Sequence, residues 1–124
     1  MKKLFTILLM LLASSTWAGI SNYDDGLNAY VKKDYTSAAY FFKLAAKDGD
    51  ARAQYELGDM YEKGQGLIKN YVLAYMWFNL ASVNGTELVA ESRERLVKKM
   101  TAEQILDAQK MTREYLNRDY KNCD

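Results

Sequence analysis

Residues 51–85 read ARAQYELGDMYEKGQGLIKNYVLAYMWFNLASVNG, and this stretch decides the fold. It holds two helical patterns, separated by a connection containing Gly64 and Gly66 and closed by Gly85. Apolar and small residues recur at helical spacing in both halves, and a glycine just past the last turn supplies a left-handed cap. The Ala and Gly positions allow two helices to approach closely, because a larger side chain would force their axes apart. Tyr61, Trp77 and Phe78 supply apolar area for sharing with neighbouring elements. Gly64 and Gly66 permit backbone angles that other residues disfavour, so the chain can reverse between the helices.

The pattern repeats upstream. At an offset of 36 residues, Asp34-Tyr35 falls on Asn70-Tyr71, Ala38 on Ala74, Phe41-Phe42 on Trp77-Phe78, Leu44-Ala45 on Leu80-Ala81 and Gly49 on Gly85. The preceding helix repeats at another offset: Gly26 lies twelve residues before Ala38, but Gly58 lies sixteen before Ala74. The four extra residues fall within residues 64–69, so the second unit is the same hairpin with a longer loop. Downstream, Thr86 to Met100 places Leu88, Val89, Leu96 and Met100 on one face, with Arg93, Glu94, Lys98 and Lys99 largely outside. Thr101 and Gln104 form a capping-box pair ahead of a last helix to about Asn117, which is expected to bury Ile105, Ala108, Met111 and Tyr115. The reading is all-α, with six helices in three antiparallel hairpins.

Residues 51–61, Gly64 to Gly66, residues 74–81 and Gly85 together closely resemble one Sel-1-like repeat. The first unit, with Gly26, Ala38, Phe42 and Ala45, resembles more the shorter tetratricopeptide repeat, departing from it at Ala29, where an aromatic is usual. The resemblance covers residues 22 to 85 and implies an α-α superhelix, a short right-handed solenoid of helical hairpins. The organisation expected is a hairpin over 22–49, a Sel-1-like repeat over 50–85, a capping hairpin over 86–118 and a tail over 119–124. The resemblance also implies a role as an adaptor in complex assembly.

Residues 1–18 stand apart from this domain. Lys2 and Lys3 precede an apolar run from Leu4 to Ala13, and small residues at Thr16 and Ala18 suit signal-peptidase cleavage before Gly19. The run is too short for a spanning helix, which needs roughly 20 apolar residues. The mature chain, residues 19–124, is therefore expected to be periplasmic or secreted and not embedded in a membrane. Loss of Lys2 and Lys3 changes 17 basic and 16 acidic side chains to 15 and 16, a formal charge of −1. Nucleic-acid binding usually needs a clustered basic excess, so that class is discounted.

Chemistry-bearing constellations are sparse. The chain has no histidine, which removes the commonest general base and transition-metal ligand, and no proline, which favours uninterrupted helices. Cys123 is its single cysteine, excluding an intrachain disulfide. The Gly64–Gly66 loop lacks the Lys and Ser/Thr of a P-loop and follows no strand. Asp24-Asp25 and the pair Asp48 and Asp50 lie near expected helix starts, where acids cap free N–H groups. Asn84-Gly85-Thr86 matches a glycosylation sequon but also sits at a helix junction. No catalytic residue, metal site or cofactor is expected.

Solenoids of this class present the first helix of each hairpin along a concave surface. Projected onto this chain, that strip carries Tyr23, Leu27, Tyr30 and Val31, then Arg52, Tyr55, Asp59, Glu62 and Lys63, then Leu88, Glu91 and Arg95. Aromatic anchors beside paired charges are common at protein interfaces. The expected partner is a protein or peptide held by Tyr23, Tyr30, Arg52, Tyr55, Asp59, Glu62 and Arg95. Two alternatives remain open: a weak homodimer stacking end to end, and an enzyme acting on a cell-envelope substrate. Relatives of the latter kind carry a Cys pair in each repeat, and such pairs are missing here.

Overall fold

Four short polar side chains mark where helices begin. Asp34, Asp50, Asn70 and Thr101 each accept a hydrogen bond from backbone N–H groups of the following turn. At Thr101 the bond is reciprocated by Gln104, whose side chain accepts from the Thr101 N–H at 3.0 Å, completing the capping box. The computed structural model describes residues 22–85 and 88–118. The leader, its cleavage position, Thr86, the tail over 119–124 and Cys123 lie outside the described residues. Six helices form, and no strand is present among the described residues: α1 (22–31), α2 (Tyr35–Lys47), α3 (Ala51–Lys63), α4 (Tyr71–Val83), α5 (Val89–Val97) and α6 (Ala102–Asn117). Gly49 and Gly85 follow α2 and α4 with positive φ, as the repeat pattern requires.

The two repeat offsets converge on one packing device. A Cβ on Gly26 of α1 would lie 2.7 Å from the Phe42 ring of α2, and one on Gly58 of α3 would lie 2.7 Å from the Phe78 ring of α4. Each glycine thus receives the buried phenylalanine of its own hairpin, and helix axes close up at both places. The longer second loop also has a tertiary use. Gly66, in the left-handed region, sits against the Tyr35 carbonyl so closely that a Cβ would overlap it. Tyr30 donates its hydroxyl to Gln65 Oε1 at 3.2 Å, so the insertion docks onto the first hairpin.

Helix α4 is the hub. It buries Ala74 to Phe78, Leu80 and Ala81, and α3, α5 and α6 all pack on it. A helix buried nearly all round is expected to be apolar all round, and the sequence YVLAYMWFNLASV is so. Two clusters flank it. One gathers Ala38, Phe42, Ala46, Leu57, Met60 and Trp77, with Tyr115 of α6; the other gathers Tyr75, Phe78, Val89, Leu96 and Ala108. Gln54 is fully buried between the first two units, donating to the Ala46 carbonyl and accepting from Asn84 Nδ2 at 3.1 Å. That bond commits the Asn84 amide of the sequon to the fold.

The last unit departs from the sequence reading. Helix α5 begins at Val89 with no side-chain cap, and Leu88, read both on the apolar face and in the outward strip, is 75% exposed. Val89 and Leu96 are buried as expected, and Ser92 joins them, at i, i+3 and i+7 spacing. Arg93, expected outside, is half-buried with its guanidinium 5.7 Å from the Tyr75 ring centroid. Helices α5 and α6 each pack on α4 more than on one another. The physical reason is in the sequence: residues 86–118 contain no glycine to admit a partner ring as Gly26 and Gly58 do. Of the expected buried residues of α6, Ala108 and Tyr115 are buried, whereas Ile105 and Met111 are half-buried; Thr112 is the unforeseen buried member.

Candidate functional site

Of the seven residues proposed from sequence, four line one cleft, and Tyr23, Tyr30 and Arg52 do not. The structure sorts them into three groups. Tyr23 lies half-buried on α1 with its ring 5.9 Å from Phe42, and the Arg52 guanidinium lies over the same ring, 4.0 Å from its centroid. Arg52 is held in turn by a fork of bonds to Asp50, at 3.1 and 2.8 Å. Burial, then the charge of nearby Glu56, pushes the Tyr23 phenol above its usual range. Tyr30 lies edge-on to Tyr35 and donates to Gln65. Val31 is 79% exposed and Leu27 packs into the core.

Tyr55, Asp59, Glu62 and Arg95 come together. They line a polar cleft of ≈ 560 Å³ along with Lys63, Lys69 and Lys99. Asp59 and Lys63 pair across one turn of α3 at 2.8 Å. Tyr55 packs its ring 5.8 Å from Phe78, and its hydroxyl accepts a long bond from Ser92 at 3.5 Å. Glu62 corrects the sequence reading. Its side chain is 4% exposed, not outward, and it joins α3 to the end of α5 through Arg95 at 2.9 Å and Lys99 at 3.3 Å. Burial acts to raise its pKa, but the bonds and charges of Arg95 and Lys99 outweigh that and leave it below the usual carboxylate range. Both cations keep about half their side-chain surface in solvent.

Lys69 and Lys99 were not among the residues singled out from sequence. The four-residue insertion was the available signal for Lys69, because an added loop must project somewhere. No linear spacing points to Lys99, which lies 37 residues from the carboxylate it meets. The cleft carries four basic and two acidic side chains, a net +2, on a chain whose residues 19–124 sum to −1.

A second cleft of ≈ 560 Å³ opens between α2, α4 and α6, floored by Met76, Trp77, Met111 and Tyr115. Trp77 and Tyr115 meet edge-to-face at 5.3 Å. Lys43, Glu114 and Arg118 stand on its rim. Glu56, whose pKa is raised by burial and then by Asp59, lines neither of these clefts. Among the described residues, no three His, Cys, Asp or Glu side chains group as metal ligands, and no helix is long and apolar enough to cross a membrane.

Paired helices with glycine-admitted rings, repeated in tandem, define a helical-hairpin repeat protein. The Sel1 repeat model matches residues 16–50 and 51–85, so the chain belongs to the Sel1 repeat family. The first unit, which resembles the shorter repeat on sequence, is matched by the same model as the second. Sel1 repeats generally mediate protein–protein binding, and proteins built from them are generally non-catalytic scaffolds. Among solved structures, the chain is similar to a protective antigen present in uropathogenic Escherichia coli strains that displays an SLR fold. Identity is 32% and the TM-score 0.76, over 87% of this chain and 24% of that one. This chain thus spans about a quarter of that protein's length. Comparison with curated proteins yields no match.

Proposed function

We propose that the protein is an exported adaptor or regulator that binds another protein through the cleft between α3, α5 and the loop over residues 64–70. The observation that carries this reading is the cleft itself: seven charged or aromatic side chains converge there from three segments. Buried Glu62 holds two half-exposed cations in place, which reduces the ordering cost of a contact made through them. Export to a periplasm or beyond rests on Lys2, Lys3, the apolar run from Leu4 to Ala13 and the small residues before Gly19.

The test is a photo-crosslinking side chain at Lys63, whose side chain is 53% exposed. Controls at Leu106 on α6 and at Lys43 on the rim of the other cleft report the remaining surface. A discrete protein adduct in the native host from position 63 alone supports the reading. No adduct, or equal labelling at all three positions, defeats it.

A second reading is favoured by apolar side chains exposed in the first and last units, Tyr40 and Leu44 on α2 and Leu106 and Leu116 on α6. These suit weak end-to-end self-association. Sedimentation that is independent of protein concentration would remove it.

A further inference from the structure

We infer that the α3–α5 cleft recognises an acidic peptide segment, whose carboxylates engage Lys69, Arg95 and Lys99. The inference rests on the binding role proposed above and names the chemistry of the partner. One buried carboxylate, Glu62, serves two cations, so a positive charge remains in excess at a fixed place. Arg95 turns Nε and Nη2 to Glu62, which leaves the Nη1 edge of its planar fork for a second carboxylate. A further cation comes from the inserted loop. Lys69 places its ammonium 5.2 Å over the Tyr71 ring, beside the Asn70 cap and the bond from Asn70 N–H to the Tyr61 carbonyl. A Cβ on Gly64 would come within 3.2 Å of Lys69 Cβ, so any other residue there would crowd this lysine.

The arrangement suits carboxylates spaced along a peptide better than a phosphate backbone. Asp59 lies in the same cleft, paired with Lys63, and breaks the run of positive charge. A continuous polyanion meets that carboxylate as a like charge, whereas a peptide can present a neutral residue there. The Tyr55 hydroxyl on the cleft wall supplies a neutral polar partner. Complementary charge of this kind acts mainly on association rate and specificity, and weakens as salt rises.

The experiment uses fluorescence anisotropy on the whole protein with a labelled octapeptide of alternating glutamate and glycine. The same peptide with glutamine for glutamate and a single-stranded oligothymidylate of matched charge serve as competitors. The glutamate peptide is expected to bind at least about tenfold more tightly than either, with affinity falling as salt rises. Lys69→Glu lowers the cleft from +2 to zero and is expected to weaken binding about tenfold or more, Lys69→Gln less, and Lys110→Glu on α6 not at all. Equal binding of the glutamine peptide, indifference to Lys69→Glu, tighter binding of the oligothymidylate, or no binding of the glutamate peptide each overturns the inference. The crosslink from position 63 separates the two claims. A captured partner with failed anisotropy removes only the acidic chemistry, and anisotropy that succeeds without a captured partner removes the adaptor role.

Discussion

Replacing Glu62 and replacing Arg95 break the same ion pair, yet the two changes are expected to differ in cost. Glu62 is 4% exposed, while Arg95 and Lys99 are 48% and 49% exposed. Glu62→Gln leaves two cations that simply turn to water, and the amide fills the same space. Its loss is that of a half-solvated pair, about 1 kcal/mol. Arg95→Ala strands the buried carboxylate with only Lys99, at 3.3 Å. Stranding a buried charge costs about 3–5 kcal/mol when nothing compensates; Lys99 and access through the cleft reduce this to about 2–3 kcal/mol. In a Glu62→Gln background, Arg95→Ala is expected to cost well under about 1 kcal/mol, because no buried charge remains to strand. Urea unfolding of the four proteins, followed by circular dichroism, measures all these terms. The pH dependence adds a sign. In the native chain Glu62 is held below its usual pKa, so its contribution is present above the unfolded value and lost as pH falls through the folded one. Arg95→Ala removes the bond and charge of Arg95 that lower the Glu62 pKa, so the pKa rises relative to the native chain and the gap to the native protein narrows on acidification. A Glu62→Gln variant that costs as much as Arg95→Ala at neutral pH would refute the reasoning.

Three further outcomes are expected. Gly58→Ala puts a Cβ 2.7 Å from the buried Phe78 ring and 3.1 Å from the Ala74 carbonyl, whereas the three atoms nearest a Cβ on Gly26 all belong to the Phe42 ring. Overpacking of about 1–3 kcal/mol, less about 1 kcal/mol of helix propensity, leaves Gly58→Ala the more destabilised in thermal melts. Asn84→Ala removes the donor to the fully buried Gln54 oxygen and is expected to cost about 1–2 kcal/mol by urea titration; no change would mean that Gln54 finds another partner. Glu56 has its pKa raised by burial and by Asp59, so its ionised form opposes folding at neutral pH. Glu56→Gln should therefore raise the urea midpoint there, with the advantage disappearing as pH falls below the ordinary glutamate range.

Much of this architecture was written along the chain. The 36-residue recurrence, the four-residue insertion and the Thr101–Gln104 box are local patterns, and local patterns report helix limits because caps, turns and periodicity act over a few residues. The pairing of Gly26 with Phe42 and Gly58 with Phe78 follows from the same recurrence. What tertiary structure alone decided is which charges meet and which are buried. Glu62 reads as one more outward acid on an amphipathic helix, and Lys99 as one more outer lysine. Only the seating of α5 on α4 brings Lys99 back across 37 residues to the Glu62 carboxylate. The same seating left Leu88 exposed and drew Arg93 onto Tyr75, because side-chain burial depends on how a whole helix is rotated against its neighbour. Helical period sets which residues share a face; it carries no information about what that face will touch.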